Sequence, residues 1–168
     1  MELSGGRLVV AAQSLKKLHL FDSELSNAAL EIPLPTQHGT FNSMSLATMQ
    51  TRELIACSFT NPNSLIFFEI KANTLQLVKW IPLDFDPFRS VWLQSQQRLL
   101  VFSGQASKRA AMICLHQEVQ QLSPVEFDKT IYVLSSCILR ENENLNDEKE
   151  KVFVFDASTS SLMELQMQ

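Results

Sequence analysis

The chain has 168 residues, 45% of them apolar and 19% charged, with a formal net charge of −4. That composition excludes an intrinsically disordered chain, and the charge excludes a basic field strong enough to announce nucleic-acid binding by itself. The length suits one domain with a real core, and the longest apolar run falls far short of the ~18 residues a membrane span needs.

Taken in chain order, the apolar segments are short, β-branched or aromatic, and bounded by Asn, Asp, Ser, Gly, Pro or Gln. These are the marks of strands, and no stretch holds a helical stripe. The opening "MELSGG" lacks the layout of a signal peptide. Three strands are then expected near residues 7–12, 15–22 and 28–33. A full set of four follows at 44–49, 53–59, 64–70 and 74–81. A third set runs 89–94, 98–103, 110–115 and, weakly, 118–122. In the fourth, "SPVEFDKTIYVLSSCILR" supplies two strands, followed by 151–156 and 161–166.

The sets repeat. One strand of each ends near Asp22, Glu69, His116 and Asp156, at spacings of 47, 47 and 40 residues. The strand before it starts at Leu8, Leu54, Leu99 and Tyr132, at spacings of 46, 45 and 33. A period of 40 to 50 residues carrying four short strands is the signature of β-propeller blades. A single blade cannot bury both of its faces, so stacked neighbours must cover them. Small residues in the second strand (Ala11, Ala12, Ala56, Cys57, Ser103, Ser135) suit close packing between blades.

The expected fold class is therefore all-β, a WD40-like β-propeller of about four blades or part of a larger one. It forms a single domain over 1–168 with a polar loop at 140–151. A β-sandwich with regular hairpins is the alternative. The chain has no Trp-Asp dipeptide, and His38-Gly39 reverses the usual Gly-His order.

Chemistry is sparse. Cys57, Cys114 and Cys137 are an odd number, each inside an apolar run, and read as buried reduced thiols of an intracellular protein. Cys114 and His116 share a strand face but read as a core residue and a strand cap rather than a nucleophile pair. His19 has no partner at metal-ligand spacing. Asp84 and Asp86, between Pro82 and Pro87, read as an inter-blade loop rather than paired catalytic carboxylates. Four glycines cannot build a phosphate loop. No catalytic, cofactor-binding or metal residue is assigned. Trp80 and Trp92 read as packing residues, with an outer-strand Trp also able to anchor an interface. The run "RENENLNDEKEK", Arg140 to Lys151, reads as a solvated loop breaking the last blade between its second and third strands, or as an acidic arm for a basic partner. Lys16, Lys17, Lys108 and Arg109 lie near the starts of third strands in two blades. They are the candidate rim contacts to RNA phosphates or an acidic partner.

The stretch Arg52 to Ser103, "RELIACSFTNPNSLIFFEIKANTLQLVKWIPLDFDPFRSVWLQSQQRLLVFSG", resembles a late blade of the WD40 non-catalytic subunit of tRNA (guanine-N7)-methyltransferase. A strand ending in small apolar residues, a polar turn, an aromatic strand of the "LIFFEI" kind and an opening such as "RSVWL" carry the likeness. The resemblance implies a protein that performs no chemistry, docks beside a methyltransferase that binds S-adenosylmethionine, and helps place the tRNA. A protein partner is then expected, with RNA reached through it, no cofactor, no membrane, and a nuclear or cytoplasmic location. The competing expectation is a propeller adaptor in a ubiquitin-ligase, nuclear-pore or trafficking complex.

Overall fold

The computed structural model describes residues 7–12, 16–21, 30–34, 36–49, 52–71, 74–115, 122–142 and 148–165. Among them are fourteen strands in four antiparallel sheets. The first sheet holds β1 (Leu8–Ala12), β2 (Lys17–Phe21) and β3 (Leu30–Pro33). A single 3-10 turn, Thr36–His38, leads to the second: β4 (Thr40–Met49), β5 (Arg52–Thr60), β6 (Ser64–Lys71) and β7 (Thr74–Pro82). The third holds β8 (Pro87–Leu93), β9 (Arg98–Ser103), β10 (Ser107–Cys114) and β11 (Leu122–Ile131). The fourth holds β12 (Val133–Asn142), β13 (Glu148–Asp156) and β14 (Ser161–Leu165).

Within every sheet the strands follow chain order, each antiparallel to the next. That is the meander of a propeller blade. A sandwich joins strands across its sheets by Greek-key crossings, and none is present among the described residues.

The chain divides into two compact units, Met1–Pro87 and Phe88–Gln168, each with two sheets and a core of its own. In the first, Val9, Leu18 and Ile32 from the first sheet pack on Ile55, Cys57, Phe59, Ile66 and Phe68 from the second. In the second, Val91, Leu93, Leu100, Phe102 and Met112 pack with Val133, Val152 and Val154. The near-continuous apolar runs behave as their composition requires. Leu54 through Phe59 and Leu99 through Ser103 are buried residue after residue, so both faces of β5 and β9 are covered.

Three expectations change. The third sheet ends on β11, so "SPVEFDKTI" completes that sheet and leaves the fourth with three strands. The polar run at 140–151 falls between the first and second strands of its sheet, not the second and third. Its ends are ladder rather than loop, with Arg140 opposite Glu150 and Glu141 opposite Lys149. Finally, only Cys57 is fully buried; Cys114 is half-buried and Cys137 exposed, because Cys137 falls on the outward phase of β12. Burial pushes the Cys57 thiol well up. Asp22, His116 and residues 143–147 of the polar run lie outside the described residues.

Asp156 carries the turn between β13 and β14. Its buried carboxylate accepts hydrogen bonds from the Tyr132 amide (2.9 Å), the Ser158 amide (3.0 Å), the Ser158 hydroxyl (2.7 Å) and the Thr159 hydroxyl (2.9 Å). These donors, the Ser158 side chain foremost, hold its pKa far below the usual aspartate range. A depressed folded-state pKa gives stability that is complete above the unfolded value of ~3.9 and lost as the pH falls below it. Asp156→Asn is therefore expected to lower the melting temperature at neutral pH by on the order of 5 °C. Between neutral pH and pH ~3 the variant should also lose less than the native chain. Circular-dichroism melts at the two pH values check both, and parallel acid limbs would remove Asp156 as the cause.

Candidate interaction surfaces

The four candidate rim cations divide between the units. Lys16 is exposed in the β1–β2 turn at φ 52°, where its carbonyl accepts the Leu34 amide at 2.8 Å. Lys17, the first residue of β2, is paired across the strands with Glu31. The Lys17 ammonium holds the Glu31 carboxyl below the usual carboxylate range. Lys108 and Arg109 are exposed near the start of β10, and the Arg109 amide donates to the Ser107 hydroxyl at 2.9 Å. Lys16 and Lys17 form one pair and Lys108 and Arg109 another, each at the start of the strand that the repeat assigns.

Other titratable residues are occupied structurally. Asp86 accepts from the Asn42 side chain at 3.1 Å, so it ties the β7–β8 connection to β4, while Asp84 is exposed. His19 stacks at 6.5 Å on Phe21. Glu150, inside the polar run, accepts from the Gln94 and Ser95 amides at 3.0 Å and the Ser95 hydroxyl at 2.6 Å, so it caps the β8–β9 turn. Arg52 grips Glu69 with two nitrogens, at 3.3 and 2.8 Å, and Lys71 joins at 3.0 Å. Among the described residues no three His, Cys, Asp or Glu side chains form a metal-binding group.

What stands out is apolar surface. On a strand, alternate residues face opposite sides. The inward phase of β12–β14 holds Val152 and Val154, which join the core. The outward phase is also largely apolar, broken by Lys151 and by Glu164, which lies opposite Phe153. Its register sets Cys137 beside Phe153, Phe155 beside Leu162, and Leu139 beside Lys151. Leu139 is 49% exposed and Leu162 66%, with Cys137 exposed and both phenylalanines half-buried. The sequence carried this signal as "KVFVFD", where Phe and Val alternate and neither phase is polar. In the first unit, Leu77 and Trp80 of β7 are 50% and 47% exposed. Trp80 is therefore not the packing residue that the sequence suggested. Trp92 is buried, and its indole Nε1 has no hydrogen-bond partner among the described residues.

A cleft of about 420 Å3 also opens in the first unit, apolar where Ile32, Phe68 and Leu75 line it and polar at Gln37, His38 and Thr74.

No protein-family model matches the chain, and no curated protein matches it. Among solved structures it resembles dihydro-heme d1 dehydrogenase NirN in complex with DHE. The TM-score is 0.56 at 11% identity, over 96% of this chain and 34% of that one. It also aligns with streptogramin B lyase at a TM-score of 0.44 and 11% identity, over 100% of this chain and 67% of that one. The chain thus spans about a third of the length of the dehydrogenase. Likeness at this identity establishes the fold alone: the chain is an all-β protein of the β-propeller class.

Proposed function

We propose that the chain is a non-catalytic interaction subunit that binds a protein partner, in the nucleus or the cytoplasm, through the outward face of β12–β14. The observation that carries this reading is the exposure of Leu139 and Leu162 beside Cys137, Phe153 and Phe155. Apolar groups gathered on one sheet face favour a partner that covers them, and large hydrophobes at the centre of such a patch supply most of the binding energy.

The partner proposed first is a tRNA methyltransferase catalytic subunit, on the resemblance of Arg52–Ser103. In that reading the tRNA is reached through the partner, with Lys16 and Lys17 of the first unit and Lys108 and Arg109 of the second as candidate cationic contacts on each. Lys17 is held by Glu31 and contributes less.

The test is purification of the tagged chain from its own cells beside a double variant, Leu139→Glu with Leu162→Glu, followed by mass spectrometry. The native chain is expected to retain one stoichiometric partner, and the variant to lose at least about tenfold of it while melting normally. A methyltransferase in that role supports the tRNA reading. A ubiquitin-ligase, nuclear-pore or trafficking component supports the adaptor reading instead. Equal retention by native and variant chains rejects this face as the interface.

A further inference from the structure

The cleft in the first unit joins apolar walls to a polar turn that is held in place from both ends. Ile32 of β3 lines one side of it, and Phe68 of β6 with Leu75 and Leu77 of β7 line the other. Ile32 and Phe68 are 2% exposed and make its floor, while Leu77 is 50% exposed and stands at its mouth. β3 and β7 are the last strands of two sheets that share one core, and sheets packed face to face lie ~10 Å apart. The space between such layers is a slot, flat rather than round.

The 3-10 turn Thr36–His38 brings Gln37 and His38 to the slot. Ahead of the turn, the Leu34 amide donates to the Lys16 carbonyl at 2.8 Å. Behind it, Gly39 at φ 110° lies against the carbonyls of Thr60 and Asn61, where a Cβ would not fit. His38 is thus positioned before any ligand arrives, and a preorganised group loses little freedom on binding. Its ring lies 6.3 Å from those of Phe59 and Phe68, and among the described residues its nitrogens make no hydrogen bond. The Thr74 hydroxyl gives its proton to the Lys71 carbonyl at 2.8 Å, so its oxygen can only accept. No Asp, Glu, Lys or Arg is among the described residues that line the cleft.

We propose that this cleft binds a small, neutral aromatic molecule that carries a hydroxyl group. Its volume of about 420 Å3 falls in the ~300–1,000 Å3 range of small-molecule sites, which pair apolar walls with a few polar groups. A slot between sheets admits a flat ring, which lies against Phe68 and the aliphatic side chains of Ile32, Leu75 and Leu77. An ionised group would lose its water there without gaining a fixed charge of opposite sign. A hydroxyl instead donates to the acceptor nitrogen that a neutral imidazole presents, with Thr74 as the second acceptor. This inference rests neither on the methyltransferase reading nor on the outward face of β12–β14.

The probe is a naphthol, titrated into the full chain beside its methyl ether and the corresponding naphthoate. Saturable binding of the naphthol is expected, with the NMR resonances of His38 and Leu77 shifting. The ether has the same ring without the donor, and the naphthoate adds a charge. Each is expected to bind at least about tenfold more weakly, since a site built to accept a hydrogen bond rejects a molecule that lacks it. Leu77→Glu, at an exposed position, is expected to weaken the naphthol by a similar factor while leaving the melting temperature unchanged. His38→Leu is expected to bind the naphthol and its ether equally, which a purely structural role for His38 would not produce.

Any of four results would overturn the proposal. One is the absence of saturable binding by the naphthol. Another is equal affinity of the native chain for naphthol and ether, which would mean apolar contact alone. The third is tighter binding of the naphthoate, which would assign an anionic ligand. The last is equal binding by the native and Leu77→Glu chains, which would put the molecule elsewhere. None of these depends on whether Leu139 and Leu162 hold a partner.

Discussion

Phe59→Ala is expected to destabilise the first unit by roughly 4 kcal/mol, because truncating a buried Phe removes its transfer energy and leaves a cavity. Phe59 is 1% exposed, on β5, in the middle of the core shared by the first two sheets. Phe41 meets it edge-on at 5.9 Å and His38 at 6.3 Å, so the ring is held from two further elements, β4 and the 3-10 turn. Phe41 sits on a paired strand and cannot close around the gap without moving the backbone. Phe59→Leu keeps most of the volume and is expected to cost roughly 1.5 kcal/mol. Urea unfolding of both variants decides the matter. A loss below about 1 kcal/mol for Phe59→Ala would mean that the site collapses and the two sheets are not rigidly packed.

The same residue shows why this core was legible in the sequence. "LIACSF" is a near-continuous apolar run, and only a strand covered on both faces uses such a run, so its burial followed from composition. Strand positions in the first two sets and in the first three strands of the third followed equally well, because turn residues punctuate them. The strand expected at 118–122 lies almost wholly outside the described residues, and Leu122–Ile131 closes that sheet. Sheet membership did not follow. β11 contains Pro124, and its alternation of Val125 and Phe127 with Glu126 and Asp128 was visible. Yet one residue, Tyr132, separates it from β12. Nothing in a local pattern says that the chain changes sheets there. Pro124 was the available hint: β11 closes the sheet order, and an edge strand tolerates a residue without an amide proton.

The polar run misled for a different reason. Charge density suggests a solvated loop, but the ladder of β12 and β13 continues into the run as far as Asn142 opposite Glu148. Glu150 reaches across to cap the β8–β9 turn, which no periodicity reveals. The candidate surface lay in plain sight as the doubly apolar alternation of "KVFVFD". A local pattern cannot mark it as surface, since sequence alone does not say which strand has a neighbour over each face.

Gly39→Ala is expected to cost roughly 3 kcal/mol, more than any substitution at the other positive-φ positions. Gly39 joins the 3-10 turn Thr36–His38 to β4 at φ 110°, a region that residues with a Cβ rarely enter. A methyl group there would overlap the Thr60 carbonyl oxygen and lie 2.9 Å from that of Asn61. Both obstacles are backbone, at the end of β5, so no side chain can rotate aside to make room. The clash must instead displace His38 or the start of β4, and with them the ring contacts to Phe59. Lys16 supplies the contrast. It too has a positive φ, of 52°, but it is exposed in a hairpin turn and contributes only a backbone carbonyl to its hydrogen bond. Lys16→Gly relieves the left-handed conformation and adds freedom to the unfolded chain, so the two effects should cancel to within about 1 kcal/mol. Equilibrium unfolding of the pair separates local conformational strain from steric exclusion. If the two glycine-swap variants moved stability equally, the overlap with Thr60 would not be what fixes glycine at position 39.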